Sequence, residues 1–429
     1  MPAIHMSRYS ILLAVVLSLT LPGCAHSPTD ARPAAAGSVA TGHYPNLFAE
    51  AGYSQAQIDA KVQAAFQQLF HGDRDEQTVY YEAGANERGP LGYIYDVNSA
   101  DVRSEGMSYG MMIAVQLNRK QEFDAIWNWA KTHMYHANRE HPAYGYFAWS
   151  VKPSGEPNDE MPAPDGEEYF ITALYFAAAR WGSGAGIYDY RAEADRLLTD
   201  ILHREAITGV TRRGEMTAID LFDKDAKMVR FTPDMVNAQH TDASYHLPAF
   251  YEVWARVGPA NDRAFWHEAA QVSRDYFQRA AHPRTGLTPD YGNFDATPWA
   301  APWRADAKDF RYDAWRSTMN WSVDWSWWAS DPREVELSNR LQAFFEAEGL
   351  DTYQSLYTLD GQKLGGGQTT GLVAMNATAG LAADHPRRLE FARALWERPI
   401  PSGRYRYYDG MLYLMALLHS SGQYKAWME

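Results

Sequence analysis

Phe170-Ile171-Thr172-Ala173-Leu174-Tyr175-Phe176-Ala177-Ala178-Ala179 is small and apolar on every side. A helix of that kind has no face for water and belongs inside a core. Met411 to Leu418 reads the same way. Between such stretches run helices of the other kind, such as Arg191-Ala192-Glu193-Ala194-Asp195-Arg196, with one charged face and one apolar face.

Apolar spacing predicts twelve helices, over 54–70, 105–117, 121–133, 167–181, 191–203, 242–255, 263–280, 312–328, 332–348, 370–383, 386–397 and 408–420. The even-numbered ones are the less charged. Buried helices alternating with half-buried ones imply an inner ring wrapped by an outer ring. That is an all-α (α/α)6 barrel, a toroid of six helical hairpins. No fixed repeat period supports a solenoid instead.

In such a toroid the inner helices run parallel and their N-terminal ends share one face. Ser104 reads as the N-cap of the second helix, placing Glu105 in its first turn. Pro164-Asp165-Gly166-Glu167-Glu168 opens the fourth helix, Asp242-Ala243-Ser244-Tyr245-His246 the sixth, and Tyr312-Asp313-Ala314-Trp315-Arg316 the eighth. The long aromatic loops 136–164, 205–241 and 282–311 precede three of these helices and are expected to wall a cleft on that face.

Glu105, Asp165 and Asp313 thus open three different inner helices. Paired carboxyl groups are the equipment of glycoside cleavage. One, protonated, gives a proton to the leaving oxygen, and the other, ionised, activates water or attacks carbon. An inverting pair stands roughly 6.5–9.5 Å apart to admit the water, a gap that suits residues opposed across a barrel. A third carboxylate can bind sugar hydroxyls and influence the pKa of the acid.

The whole chain agrees. It has 429 residues, 14% aromatic, with a formal charge of −14. That charge disfavours nucleic acid, whose phosphates call for Lys and Arg. A neutral polysaccharide fits better. No GxxxxGK[ST] phosphate loop and no GxSxG elbow is present. His133, His136 and His141 lack metal-ligand spacing, and His246 reads as a hydrogen-bonded core residue. Neither metal nor cofactor is expected.

The N-terminus reads as a targeting segment, residues 1–24: Arg8, an apolar run from Ile11 to Leu21, then Leu21-Pro22-Gly23-Cys24. The run is too short to span a membrane comfortably. Cys24 is the only cysteine, so no internal disulfide can form. A Cys just after a signal core is similar to the lipobox of bacterial lipoproteins, although Pro22 departs from that pattern. The expectation is an exported protein, either held to a membrane through lipid on Cys24 or secreted. Residues 25–43, rich in Ala, Pro, Ser and Gly, read as a flexible tether, and 44–429 as the catalytic domain.

The strings DVRSEGMSYGMM (101–112), IWNWAKTHMY (126–135), GYFAWS (145–150), PAPDGEEYF (162–170), SYHLPAFYE (244–252), HPRTGL (282–287), YDAWRSTMN (312–320), GLVAMNA (371–377) and RYYDGMLYL (406–414) resemble glycoside hydrolase family 8. The resemblance runs in order from about Tyr44 to Trp427. PDGEEYF is similar to the branch of reducing-end xylose-releasing exo-oligoxylanases. The resemblance implies an inverting (α/α)6 enzyme acting on β-1,4-xylo-oligosaccharides; a monomer is expected. It implies Glu105 as general acid, Asp313 as general base and Asp165 as the carboxylate gripping the sugar. It implies that Arg316 helps set the base, that Tyr245, Tyr312 and Tyr407 or Tyr408 line the cleavage subsite, and that Trp149 is a stacking platform in the non-reducing-end half of the cleft. Exo-acting members carry a His-Pro pair before the tenth helix, closing the cleft. Here that place reads Gly367-Gln368-Thr369-Thr370-Gly371 after further glycines, so that either a flexible loop closes the cleft less well or Gln368 makes the contact instead. Endo action on xylan or β-1,4-glucan, and a sugar-binding lipoprotein on a degenerate barrel, are the alternatives.

Overall fold

The computed structural model describes residues 36–428. Twelve helices carry the architecture: α1 Gln55–His71, α2 Ser104–Gln116, α3 Lys120–His133, α4 Pro164–Trp181, α5 Tyr190–His203, α6 Pro248–Val257, α7 Arg263–Ala280, α8 Tyr312–Trp328, α9 Arg333–Glu348, α10 Thr370–Thr378, α11 Arg388–Glu397 and α12 Arg406–Ser420. The even-numbered helices pack each against the next, and α12 closes the ring on α2. The odd-numbered helices lie outside, α3 on α2, α5 on α4, α7 on α6, α9 on α8, α11 on α10 and α1 on α12. This is the (α/α)6 barrel.

Composition sets the two layers. Every residue of α2 except Glu105 is buried, as is every residue of α4 from Pro164 to Ala178. The outer helices bury one stripe: on α5 only Tyr190, Ala194, Leu197, Leu198, Ile201 and Leu202 are buried. α1 is held at its start by a reciprocal capping box between Ser54 and Gln57.

Short antiparallel hairpins decorate the barrel, which helical periodicity does not foretell. Val102–Arg103 pairs with Ser150–Val151, which pairs with Pro157–Asp159, and His240–Asp242 pairs with Tyr291–Asn293. They move two helix starts. The sixth helix, expected from 242, begins at Pro248 because Asp242 is held in a strand and a 3-10 turn follows over Ala243–Tyr245. Ser104 is not the N-cap of α2. Strand pairing carries through Arg103, the Ser104 amide donates to the Trp149 carbonyl (3.0 Å), and the Ser104 hydroxyl is buried without a partner.

The tether expected over 25–43 ends early. Ser38–Thr41 is a helical turn packed on α8, with Ser38 buried. Cys24 and the segment 1–24 lie outside the described residues. Among those residues, no helix is long and apolar enough to cross a membrane.

Candidate active site

The N-terminal ends of the inner helices and the loops 136–164, 205–241 and 282–311 enclose a cleft of about 1080 Å³. Trp149 and Met161 come from the first loop, Met216 and Phe231 from the second, Tyr291 and Trp303 from the third.

Its centre is Arg316. The side chain is 2% exposed, one turn into α8, and points into the ring. Nη1 meets Asp165 Oδ2 at 2.6 Å and Glu105 Oε2 at 3.0 Å, and donates to the Tyr109 hydroxyl at 2.8 Å. Nη2 meets Asp313 Oδ1 at 3.3 Å and donates to Ser244 Oγ at 3.0 Å. One guanidinium therefore gathers all three carboxyl groups singled out in the sequence. Burial and the closeness of the carboxyl groups both disfavour full ionisation, so a proton is retained.

Burial raises the pKa of Asp165, and it raises that of Glu105 too. Burial pushes its carboxyl up to about 7, and the Asp165 and Asp313 charges push the same way against Arg316 and Arg103. Its Oε1 accepts from the Tyr407 hydroxyl at 2.9 Å. Gly106 makes that approach feasible, because a Cβ there would sit 2.6 Å from the Tyr407 ring. Gly166 plays the same part between α4 and α2, where a Cβ would meet Ser104 Oγ at 2.5 Å.

Asp165 stands in the first turn of α4 behind Pro164, a residue suited to that position since its missing N–H would have no helical partner. Its Oδ1 accepts from the Gly166 amide at 2.9 Å.

Asp313 is the most open of the three, with 25% of its side chain exposed. A second cation braces it. Arg304 Nη1 lies 3.4 Å from Asp313 Oδ2 and donates to the Tyr291 hydroxyl at 3.0 Å. Arg304 Nη2 donates to Asp290 Oδ2 at 2.7 Å, while Asp290 Oδ1 accepts from the Ala314 amide at 2.9 Å. Buried Asp290 thus ties Arg304 to the helix turn that carries Asp313.

Nine of the ten residues expected at the site line the cleft: Glu105, Asp165, Asp313, Arg316, Trp149, Tyr245, Tyr312, Tyr407 and Tyr408. Trp149 is fixed through its indole N–H, which donates to Asp159 Oδ2 at 2.7 Å. Tyr407 and Tyr408 both take part, on different sides, since neighbouring helical positions diverge. Tyr407 serves Glu105, and the Tyr408 hydroxyl donates to the Tyr312 carbonyl at 2.7 Å.

Gln368 corrects the expectation. It does not line the cleft. Its amide donates to the Leu350 carbonyl at 2.8 Å and its carbonyl oxygen accepts from Arg398. Gly365, Gly366 and Gly367 all adopt left-handed φ (106°, 89° and 62°) and turn the chain so that Gln368 faces inward. Gly366 and Thr369 border the cleft in its place.

Sequence reading missed Tyr109, Ser244, Asp290, Tyr291 and Arg304. The YDAWR string carries a carboxylate and an arginine in one turn, but its partners come from four other segments, and only tertiary folding brings them in.

The family model for glycosyl hydrolases family 8 matches residues 92–422. The chain belongs to family 8. Within family 8 it is 41% identical over 394 residues to the reducing-end xylose-releasing exo-oligoxylanase Rex8A of Paenibacillus barcinonensis, covering 91% of this chain and 98% of that one. A solved family 8 structure from Teredinibacter turnerae, a xylobiose complex, is 63% identical with a TM-score of 0.91, covering 92% of this chain and all (100%) of that one. A catalytic mutant of a Teredinibacter turnerae protein, described as a xylanase, was solved with xylohexaose. Endoglucanase A of Acetivibrio thermocellus stands further off, 26% identical over 76% of this chain and 62% of its own. The protein is a glycoside hydrolase of family 8.

Proposed function

We propose that this enzyme hydrolyses β-1,4-linked xylo-oligosaccharides with inversion and releases xylose from the reducing end. The observation that carries the reading is the single buried guanidinium of Arg316 joining Glu105, Asp165 and Asp313 at the floor of an open cleft. The 41% identity to Rex8A supplies the substrate class.

The roles follow from the surroundings. Glu105, protonated near neutral pH, gives its proton to the glycosidic oxygen as the C–O bond breaks. Asp313, between two arginines and open to solvent, takes a proton from the water that attacks the anomeric carbon from the opposite face. Asp165 accepts from sugar hydroxyls at the cleaved bond. Arg316 and Arg304 are positioning residues for the two reacting carboxyls. Tyr245, Tyr312, Tyr407, Tyr408 and Trp149 present apolar ring surface to the sugars. Three carboxylates kept intact around one arginine argue against a mere binding protein, which has no use for a protonated acid.

Xylotriose labelled at its reducing end tests the reading. Early labelled xylose with unlabelled xylobiose supports it, and labelled xylobiose refutes it. Internal cleavage of longer chains is the second reading, favoured by Gln368 turning away from the cleft. Large fragments formed early from polymeric xylan would establish it. Turnover of cello-oligosaccharides in preference to xylo-oligosaccharides would move the assignment to β-1,4-glucan.

We further propose that the enzyme acts as a monomer, exported and held at a membrane through lipid on Cys24. Light scattering gives the mass in solution. Cys24→Ala is expected to abolish incorporation of labelled fatty acid and to release the enzyme into the soluble fraction.

A further inference from the structure

The reacting groups occupy the middle of the cleft, and an aromatic wall continues past them on the Asp313 side. Tyr245, 8% exposed, starts it. Phe231 lies parallel to Tyr245 with centroids 6.1 Å apart and meets Tyr291 at 4.5 Å. Trp303 follows, 6.2 Å from Phe231 and tilted by 34°. Trp299 backs it, perpendicular at 5.3 Å, and is itself stacked on His240 at 3.5 Å.

Trp303 differs from the rest of the wall. It borders the cleft yet is 57% exposed. Single exposed hydrophobes are ordinary on protein surfaces. This one is not isolated, since it is the outer end of a continuous row of rings that begins at the cleaved bond. It is also held before any ligand arrives. The Arg304 amide donates to the Ala301 carbonyl at 2.9 Å, closing a tight turn around Trp303, and the Arg304 guanidinium is tied to Asp290. A ring fixed in advance loses little entropy when a ligand stacks on it. A xylopyranosyl unit has no net charge and offers C–H groups on its ring faces, which suit the negative face of an indole. None of the expectations for this fold called on Trp303.

We propose that Trp303 is a stacking platform for a xylosyl unit removed from the cleaved bond, so that chains long enough to reach it are preferred. The proposal rests on the xylan reading given above. Trp303 stands two ring contacts out from Tyr245, beyond the sugar being cleaved, and so acts only on the longer chains.

The test is the ratio of kcat/KM for xylohexaose to that for xylotriose, measured for the wild type, W303A, W303L and W303F. Loss of the stack is expected to lower that ratio about tenfold in W303A and W303L. W303F, which keeps a smaller aromatic face, is expected to stay within about twofold of the wild type. An unchanged ratio in W303A overturns the proposal. So does an equal fall on both substrates, which would make Trp303 a support for the catalytic centre. Neither result touches the xylan reading. A wild-type enzyme that turns over neither substrate removes that reading and this proposal together.

Discussion

Two buried arginines, on adjacent helices, are used in opposite ways. Arg274 of α7, 0% exposed, meets Asp324 of α8 with two parallel contacts of 2.7 and 2.9 Å and takes Glu252 at 3.1 Å. Arg316 of α8, as deeply buried, makes a single contact with each of three carboxyl groups, and its Nε has no partner. The first is a planar fork on a planar carboxylate, the geometry that compensates desolvation best. The second divides its donors among three acids. It gives up part of that compensation and in return keeps one acid protonated near neutrality while its neighbour across the cleft stays open to water.

Breaking the Arg316 side should cost activity. Glu105→Gln removes the proton donor and is expected to lower kcat on the order of 10³-fold with the thermal midpoint little changed. A variant within tenfold of wild type would exclude Glu105 as the acid. Arg316→Lys keeps the charge, but a single ammonium cannot reach Glu105, Asp165 and Asp313 together. A fall of about 10²-fold in kcat is expected.

Breaking the Arg274 side should cost stability instead. Arg274→Met leaves Asp324 buried without its cation, while Glu252 keeps Arg256 at 2.6 Å, and a loss of about 3–5 kcal/mol in denaturant unfolding is expected. Below the melting transition its kcat should match wild type, and a large drop there would dissolve the contrast.

The pH profile sharpens it further. The acid must be protonated, and its pKa is raised to about 7, so kcat should fall as pH rises through about 7. Tyr407→Phe removes a donor that favours ionised Glu105, which raises the pKa further. The alkaline limb of kcat should move to higher pH, with kcat at the optimum changed less than about tenfold. A limb that stays in place would detach that hydroxyl from the proton donor.

Much of this was legible in the chain. α7 and α8 begin and end where apolar spacing puts them, because that spacing is local. Glu105, Asp165 and Asp313 were visible because each opens a helix whose neighbours are small or aromatic. What escaped depends on pairing over distance. Asp242 joins a strand with Tyr291, and that contact displaces the start of α6. Tyr109 reads as one more apolar position of α2, yet its hydroxyl reaches Arg316, 207 residues away. Gln368 was assigned by position, and the left-handed glycines before it reverse its direction. Arg304 sits in a loop with no period to read, and its importance comes from Asp290 beneath it.

The turn at Ser38–Thr41 is tied to one pole of the barrel. Gly37 is pressed against the Trp327 carbonyl, so closely that a Cβ would lie 2.1 Å from it. Trp327 is near the C-terminal end of α8, and Asp313 is at its N-terminal end. The chain therefore enters the barrel from the pole opposite the cleft. None of residues 36–41 borders the cleft.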